Sequence, residues 1–497
     1  MLYTTPPSVF KYDVGNMNEL NSRIVKWADY QKLPNIELKK VVCGQNAIYQ
    51  LPDVLKTLGV TREYEILVVM DDVVMMRGEQ QVKPLVMSLL AESGYQTRKI
   101  VLSGDENGQV HPDFKTIEQV KPYLREKCAV VAVGSGVVTD ISKHTCYLWQ
   151  QEYKGQIPLV SCMTANTVPA YASRSSIISK DGVKRTWPSR LPDAIIMDYK
   201  ILKDCPLEYT IAGVGDLFPL FCSYADWYLA DVLGMANFLD ASWRIMDDVK
   251  ELLIPYSDAI AGQKLEGMEV LSKSLTLCGL AMTYARDSVP VSGYEHVMSH
   301  LLDMSAECDG RETGVHGQQV GVSAIWSLAQ YELLIQYLDE YAGKLDLNQC
   351  YPNDDCVKKR VFSVFEEIDS SGAMGQECWN DIEIKLANWK KARSNTENFL
   401  KNWPEHRKVL KKLLPFTAEQ CAQALARFGH PLLPGEMKVP VTEQRMRWAL
   451  KNARFQRKRF TSADLIGFFN LYNQHWEEAV VQKVYNAVEK AEKEKNR

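Results

Sequence analysis

Three of the eight histidines fall inside one stretch, Gly293 to Gly321, which reads GYEHVMSHLLDMSAECDGRETGVHGQQVG. His296 and His300 are four residues apart and share one face of a helix; Glu295 stands beside them, and His316 follows immediately before Gly317. Imidazole nitrogen and carboxylate oxygen suit zinc, nickel and iron, and a catalytic centre of this kind uses about three protein ligands with one position left open. Asp216, set between glycine and leucine in IAGVGDLFPL, is the best carboxylate to complete such a set. Two ligand sets fit the spacing: His296 with His300 as an i,i+4 pair, or His296 with His316 and Asp216 from separate elements. A lone histidine is usually an ordinary core or surface residue, but three so close together point to a metal.

A second stretch bears on anion binding. VVAVGSGVVTDISKHTCYL reads as strand, turn and helix, so Gly134, Ser135 and Gly136 place backbone N–H groups and a helix N-terminus where a pyrophosphate can rest. The fuller GxGxxG pattern is absent, because Thr139 occupies its last position. Hydroxyls at Thr164, Thr167, Ser173 and Ser175 follow in a small polar loop, suited either to phosphate or ribose or to the loop's own backbone.

The elements that must position these groups change character along the chain. Residues 1–36 form an N-terminal arm with one polar helical segment, MNELNSRIVKWADYQKL. From 37 to 205, strand runs such as YEILVVMDD and CAVVAVGSG alternate with helical segments such as EQQVKPLVMSLLAESG and DFKTIEQVKPYLRE. That alternation predicts an open, mostly parallel α/β sheet. DGVKRTWPSRLPDAIIMD predicts a hairpin leading into another buried strand. From 206 to 497 helical periodicity dominates, as in KLEGMEVLSKSLTLCGLAMTYAR. The fold class expected is therefore an α/β N-terminal dinucleotide-binding domain followed by an all-α C-terminal metal-binding domain.

Composition limits the remaining classes. A chain of 497 residues exceeds one ordinary core, and 46% hydrophobic with 24% charged residues is globular. A net charge of −4 carries no basic excess that would mark a nucleic-acid partner. No long apolar run predicts membrane insertion, and the first residues lack the basic and apolar regions of a signal peptide. The twelve cysteines are scattered without a CxxC pair, so reduced thiols and a cytoplasmic location are expected.

Several motifs in one order carry a resemblance. VGSGVVTDISK, DGVKRTWPSRLPDAIIMDYKILKDCP, AGVGDLF with SYADWYLA, and SGYEHVMSH with HGQQVGV resemble the glycerol-1-phosphate dehydrogenases of the AraM-like type. These lie within the wider superfamily of iron-containing alcohol dehydrogenases, glycerol dehydrogenases and dehydroquinate synthases. The resemblance runs from about Ile36 to the end of the chain, ARFQRKRFTSADL included. It implies a dehydroquinate synthase-like fold and a metal held by Asp216, His296 and His316, usually zinc or nickel, with iron in relatives. His300 then becomes a nicotinamide-side histidine that handles protons.

The same resemblance implies NAD(H) or NADP(H) at the Gly134–Ser135–Gly136 turn. Asp140 and Lys143 match the DxxK after that turn, with Asp140 counted among both catalytic and cofactor residues; Thr164 and Ser173 line the cofactor loop, and Asp71 meets the adenosine ribose. The implied reaction is hydride transfer between nicotinamide and a small polyol or ketone, nearest to sn-glycerol 1-phosphate and dihydroxyacetone phosphate, in a homo-oligomer. Two places depart from the family: its Asp-Gly after Thr164 is Pro169-Ala170 here, and its Gly-Lys after the metal aspartate is Pro219-Leu220. A phosphate dianion needs a cation or several N–H donors, so Arg174, Lys184 and Arg185 become the substitute cations to examine. A different, non-phosphorylated polyol or aldehyde, a dehydroquinate synthase-like lyase, and a non-catalytic relative are the alternatives.

Overall fold

Unbroken apolar runs such as Cys128–Gly134, buried at every position, have no face to give to water and so form central parallel strands. The computed structural model describes residues 9–105, 108–180 and 183–495. Its strands are β1 (Lys40–Gly44), β2 (Glu65–Met70), β3 (Met76–Arg77), β4 (Gln80–Gln81), β5 (Gln96–Val101), β6 (Cys128–Gly134), β7 (Leu159–Met163), β8 (Ser175–Lys180), β9 (Val183–Pro188) and β10 (Ala194–Asp198). Six of them make one sheet in the order β1-β10-β7-β6-β2-β5, with every pairing parallel. The short pairs β3–β4 and β8–β9 stand apart as two-stranded ribbons. The turn of the expected hairpin, Asp181–Gly182, lies outside the described residues.

The strand order carries a functional consequence. After β2 the chain adds β5 on one side and then returns to lay β6 on the other, so the C-terminal ends of β2 and β6 flank the point where the winding reverses. Open α/β sheets bind ligands at that switch point. Register pairs Met70 with Val133 and Gly134 with Met163, which sets Asp71, the Gly134–Gly136 turn and Thr164 along one edge of the sheet.

One expected helix is not continuous. DFKTIEQVKPYLRE forms only a short turn at Phe114–Ile117 and a 3-10 turn at Lys121–Tyr123. Pro122 lacks an N–H and crowds the preceding turn, so an uninterrupted helix is not available there.

The chain divides into two compact units, each discontinuous in sequence. The first takes in the chain to Ile178 together with Arg185–Gly213 and Asp240–Ser288. Its sheet packs against two apolar clusters, and its long helix Leu265–Ala285 touches the Pro169–Ala172 turn at Gly279, where a Cβ would come within 2.6 Å of the Pro169 carbonyl oxygen. The same turn is tied from beneath by Lys143, whose fully buried ammonium donates to the carbonyls of Ala170 (2.5 Å), Ser173 (3.0 Å) and Ser175 (2.9 Å). Asp140 lies 3.0 Å from that ammonium and accepts from the Ile177 N–H.

The second unit comprises Ser179–Lys184, Val214–Leu239 and Val289–Arg497. No strand follows Asp198 among the described residues. Its central pair of helices, Tyr294–Cys308 and His316–Tyr341, is anchored by buried Asp226, which accepts from the backbone N–H groups of Tyr294 (2.8 Å) and Ser462 (2.7 Å) and from the Tyr331 hydroxyl. Asp226 therefore joins three distant segments at the start of the helix that carries His296 and His300.

Breaking the Lys143 strut would strand a buried carboxylate and three carbonyls. Lys143→Met is expected to cost about 3–5 kcal/mol of unfolding free energy, measured by urea denaturation.

Candidate active site

His296 sits in the first turn of the helix Tyr294–Cys308, and His316 is the first residue of the helix His316–Tyr341. Asp216 follows the helix Leu207–Gly215 directly. The three side chains converge: their ligand atoms lie within 4.8 Å of one another, with His296 Nε2 at 3.0 Å and His316 Nε2 at 3.5 Å from the same oxygen, Asp216 Oδ1.

The neighbours decide which ring nitrogen faces inward. His296 Nδ1 is 3.1 Å from Glu295 Oε1, and that carboxylate also accepts from the Gly293 N–H. His316 Nδ1 is 3.1 Å from Ser299 Oγ, which itself donates to Gln319 Oε1 at 2.7 Å. Because the serine proton is committed to Gln319, the Nδ1 of His316 carries the hydrogen and its Nε2 presents a lone pair to the cluster. Burial, the largest influence on His296, lowers its pKa, but hydrogen bonds to Asp216 and Glu295 outweigh it and raise the pKa to about 9. Two imidazole nitrogens and one carboxylate oxygen, the imidazoles oriented from behind, fit a divalent cation with nitrogen and oxygen ligands.

Close backbone approach makes the cluster possible. A Cβ on Gly215 would come within 2.0 Å of the Gly317 carbonyl oxygen and 2.4 Å of His430 Nε2, and one on Gly321 within 2.5 Å of the His430 ring. The residues flanking this contact are Asp216 on one strand of the chain and His316 on the other. His430 fills the notch, with its ring nitrogens 2.6 Å from the Pro431 carbonyl and 3.3 Å from that of Gly317.

His300 lies one turn beyond His296, its ring 5.2 Å from that of His316 and stacked on it. Its Nδ1 is buried without a hydrogen-bond partner. Burial first, then the positive groups Arg457, His316, Lys184 and His296, hold its pKa well below the ordinary histidine value, so the ring is neutral at physiological pH.

In the first unit, the turn at the end of β6 opens the helix Gly136–Tyr153, whose N-cap Ser135 makes no side-chain capping bond. The first N–H groups of a long helix are thus left for an anion. The glycines also have packing reasons: a Cβ would meet Val138 at Gly134 (2.5 Å) and Val168 at Gly136 (2.3 Å). Thr139, where the dinucleotide pattern has glycine, places its hydroxyl 3.0 Å from Ser161 on β7. The Asp71 carboxylate pairs with Lys83 and accepts from the Val73 N–H. Thr164 is buried and its N–H donates to the Gly134 carbonyl, while the Ser173 and Ser175 hydroxyls bond each other at 2.8 Å.

Residues 42–206 match the sequence profile of the iron-containing alcohol dehydrogenase family. The glycerol-1-phosphate dehydrogenase (NAD(P)+) of Bacillus licheniformis is 29% identical over 303 residues, 60% of this chain and 72% of its own length. That of Bacillus subtilis is 29% identical over 248 residues, 50% of this chain and 61% of its own. An alcohol dehydrogenase from Oenococcus oeni shares the fold with a TM-score of 0.53 at 14% identity, covering 89% of this chain and 99% of that one. The chain thus resembles the iron-containing alcohol dehydrogenases over residues 42–206. It is accordingly an oxidoreductase.

The structure gathers Asp216, His296 and His316 and leaves His300 outside the cluster, so the i,i+4 pair of His296 and His300 is not the set that converges. Glu295, a candidate ligand from its position, stands behind His296 instead. Asp140 and Lys143 lie beneath the Pro169–Ala172 turn, and all three ammonium hydrogens of Lys143 are directed at backbone carbonyls. Leu220 is fully buried between Phe218 and Phe221 in sequence, whose rings meet edge to face, Phe218 also meeting Phe428 edge-on and Phe221 lying against Phe416. Arg174 pairs with Glu37 at 2.7 Å, and Lys184 pairs with Asp303 at 2.7 Å and Glu307 at 3.5 Å. Two of the three substitute cations, Arg174 and Lys184, are therefore already matched by carboxylates.

Ser299, Gln319, Asp226 and His430 were not visible as site residues. Ser299 stands three residues after His296, and the Gly317–Gly321 spacing marks a helix face open to close approach. Nothing local marks His430, whose contacts all come from distant segments.

Two outcomes follow from the glycine notch. Gly215→Ala is expected to push Asp216 away from His316 and weaken divalent-metal binding by about 10- to 100-fold, read by competition with a chromophoric chelator. Burial, opposed by the Pro431 and Gly317 carbonyls, lowers the His430 pKa to about 4. Its folded pKa is depressed, so the unfolded chain binds the proton more readily between that value and about 6.5. Stability from this group is complete above pH 6.5 and falls as pH drops toward 4, by up to about 3 kcal/mol. The measured stability–pH slope over that window is expected to be shallower in His430→Gln than in the native chain.

Proposed function

We propose that this protein is a metal-dependent, NAD(P)-linked dehydrogenase that moves hydride between nicotinamide and a small polyol or ketone. The observation that carries the reading is the convergence of His296 Nε2 and His316 Nε2 on Asp216 Oδ1, each imidazole oriented from behind by a buried acceptor. The names of the glycerol-1-phosphate dehydrogenase relatives support sn-glycerol 1-phosphate and dihydroxyacetone phosphate as the nearest named reaction.

In this reading Asp216, His296 and His316 hold one divalent ion, zinc or nickel first and iron as an alternative. When bound, that ion supplies Lewis-acid polarisation of an alcohol or carbonyl oxygen, and the nicotinamide supplies or takes the hydride. The chain's own residues do the rest. Glu295 and the Ser299–Gln319 relay keep both imidazoles in the tautomer that presents Nε2. His300, neutral and with Nδ1 unpartnered, is the group suited to pass a proton to or from the substrate oxygen through a hydrogen bond. The Gly134–Gly136 turn and the open helix N-terminus receive the dinucleotide pyrophosphate, with Asp71 and Thr164 on the same sheet edge beside it. Asp140 and Lys143 act by fixing the loop that carries Ser173.

A second substrate reading has its own observation. Leu220 stands buried among phenylalanines at the place where the glycerol-1-phosphate enzymes carry lysine, and Pro169-Ala170 stands where they carry Asp-Gly. That favours a non-phosphorylated polyol, ketone or aldehyde within the same chemistry.

The test is a carbonyl and polyol panel, dihydroxyacetone phosphate included, assayed for NADH and NADPH consumption with zinc, nickel or iron added, alongside metal analysis of the native chain and His296→Ala. We expect one metal per native chain, loss of that metal in the variant, and a fall in turnover of about 100-fold or more when the metal is stripped by chelator. Turnover without net nicotinamide consumption would instead mark a lyase. Unchanged metal content in His296→Ala would remove the assigned site.

A further inference from the structure

A cavity of about 170 Å³ opens in the second unit among the helices Asp354–Glu366, Ala373–Lys391 and Ser462–Phe468. None of its lining residues belongs to the metal cluster. Three cations, Arg360, Lys385 and Arg454, face it with a single carboxylate, Asp464. That carboxylate is already committed: it accepts from Lys385 at 2.9 Å, from the Thr461 N–H at 3.0 Å and from the Thr461 hydroxyl at 3.2 Å. Lys385, itself 3% exposed, also donates to the Arg454 carbonyl at 2.7 Å.

Arg454 feels the charge of Asp464, but the oxygens of that carboxylate are taken by Lys385 and Thr461. Its guanidinium lies flat against Gly467, where a Cβ would fall 2.4 Å from Cζ, and over the Phe455 ring at 4.1 Å. Its Nε is buried without a hydrogen-bond partner. Arg360, at the rim, contacts Asn452 and no carboxylate. Burying a guanidinium with no acceptor costs free energy that a bound anion would recover, and a planar fork of N–H donors matches phosphate geometry. The surplus of two positive charges matches a phosphate dianion, Phe455 and Phe468 supply apolar walls, and the volume lies well under the ~300 Å³ of pockets for larger ligands.

We propose that this cavity binds a small organic monophosphate, with its phosphate on Arg454 and Arg360 and its apolar part against Phe455 and Phe468. The site is separate from the metal centre and does not depend on the substrate of the dehydrogenase reaction.

Calorimetric titration of the full chain with inorganic phosphate and with phenyl phosphate, at constant ionic strength, tests it. The expected result is one saturable site per chain, tighter for phenyl phosphate than for inorganic phosphate. Binding should weaken by about tenfold or more in Arg360→Gln and in Arg454→Gln and stay unchanged in His296→Ala. Where Arg454→Gln does not fold, Arg360→Gln, whose side chain lies at the surface, carries the test. Absence of saturable binding, equal affinity in the arginine variants, or equal affinity for the two probes would overturn the proposal. Loss of binding in His296→Ala alone would overturn it too, by assigning the phosphate to the metal centre.

Discussion

The backbone contact between Gly215 and Gly317 governs the unit that holds Asp216, His296 and His316. With any side chain at Gly215 the segment bearing Asp216 could not approach the helix bearing His316, since a single Cβ would already fall within 2.0 Å of a carbonyl oxygen. Gly321 extends the flat face by one turn, and His430 closes it from a third segment. Interiors are packed too densely to absorb such an overlap locally, so the ligand spacing of Asp216 and His316 follows from the absence of two or three methyl groups.

Much of the scaffold was legible in the chain itself. The buried runs of β2 and β6 and the glycine turn after β6 identify a parallel sheet because such strands have no polar face; both lie inside it, while the edge strands β1 and β5 are only partly buried. The helix 113–126 failed where Pro122 outweighed an amphipathic pattern. The three converging ligands were present among the candidates, but spacing alone could not separate an i,i+4 pair from residues on different elements, because that choice is made by tertiary packing. Asp140 and Lys143 illustrate the same limit: a charged pair after a glycine turn reads like a ligand contact, while in the fold the ammonium is consumed by three carbonyls of a loop whose approach no local pattern announces.

Charge matching separates the chemistry of this molecule from its specificity. The imidazole and carboxylate donors have supporting hydrogen bonds and need nothing further to be oriented. In the same unit Lys184 is neutralised by Asp303 and Glu307, and Leu220, at the place where the resemblance expects a cation, is interior; in the first unit Arg174 is neutralised by Glu37. On the proposed function, such an arrangement would keep the chemistry of the centre while changing which substrate charges are favoured.

The notch filled by His430 has a consequence for biogenesis. Asp216, His296 and His316 are all synthesised well before His430, yet the contact that aligns them is completed only when that ring is in place. A nascent chain stopped before this point holds the three donors but not the ring that packs against their glycines, so the cluster is completed only as the segment bearing His430 docks.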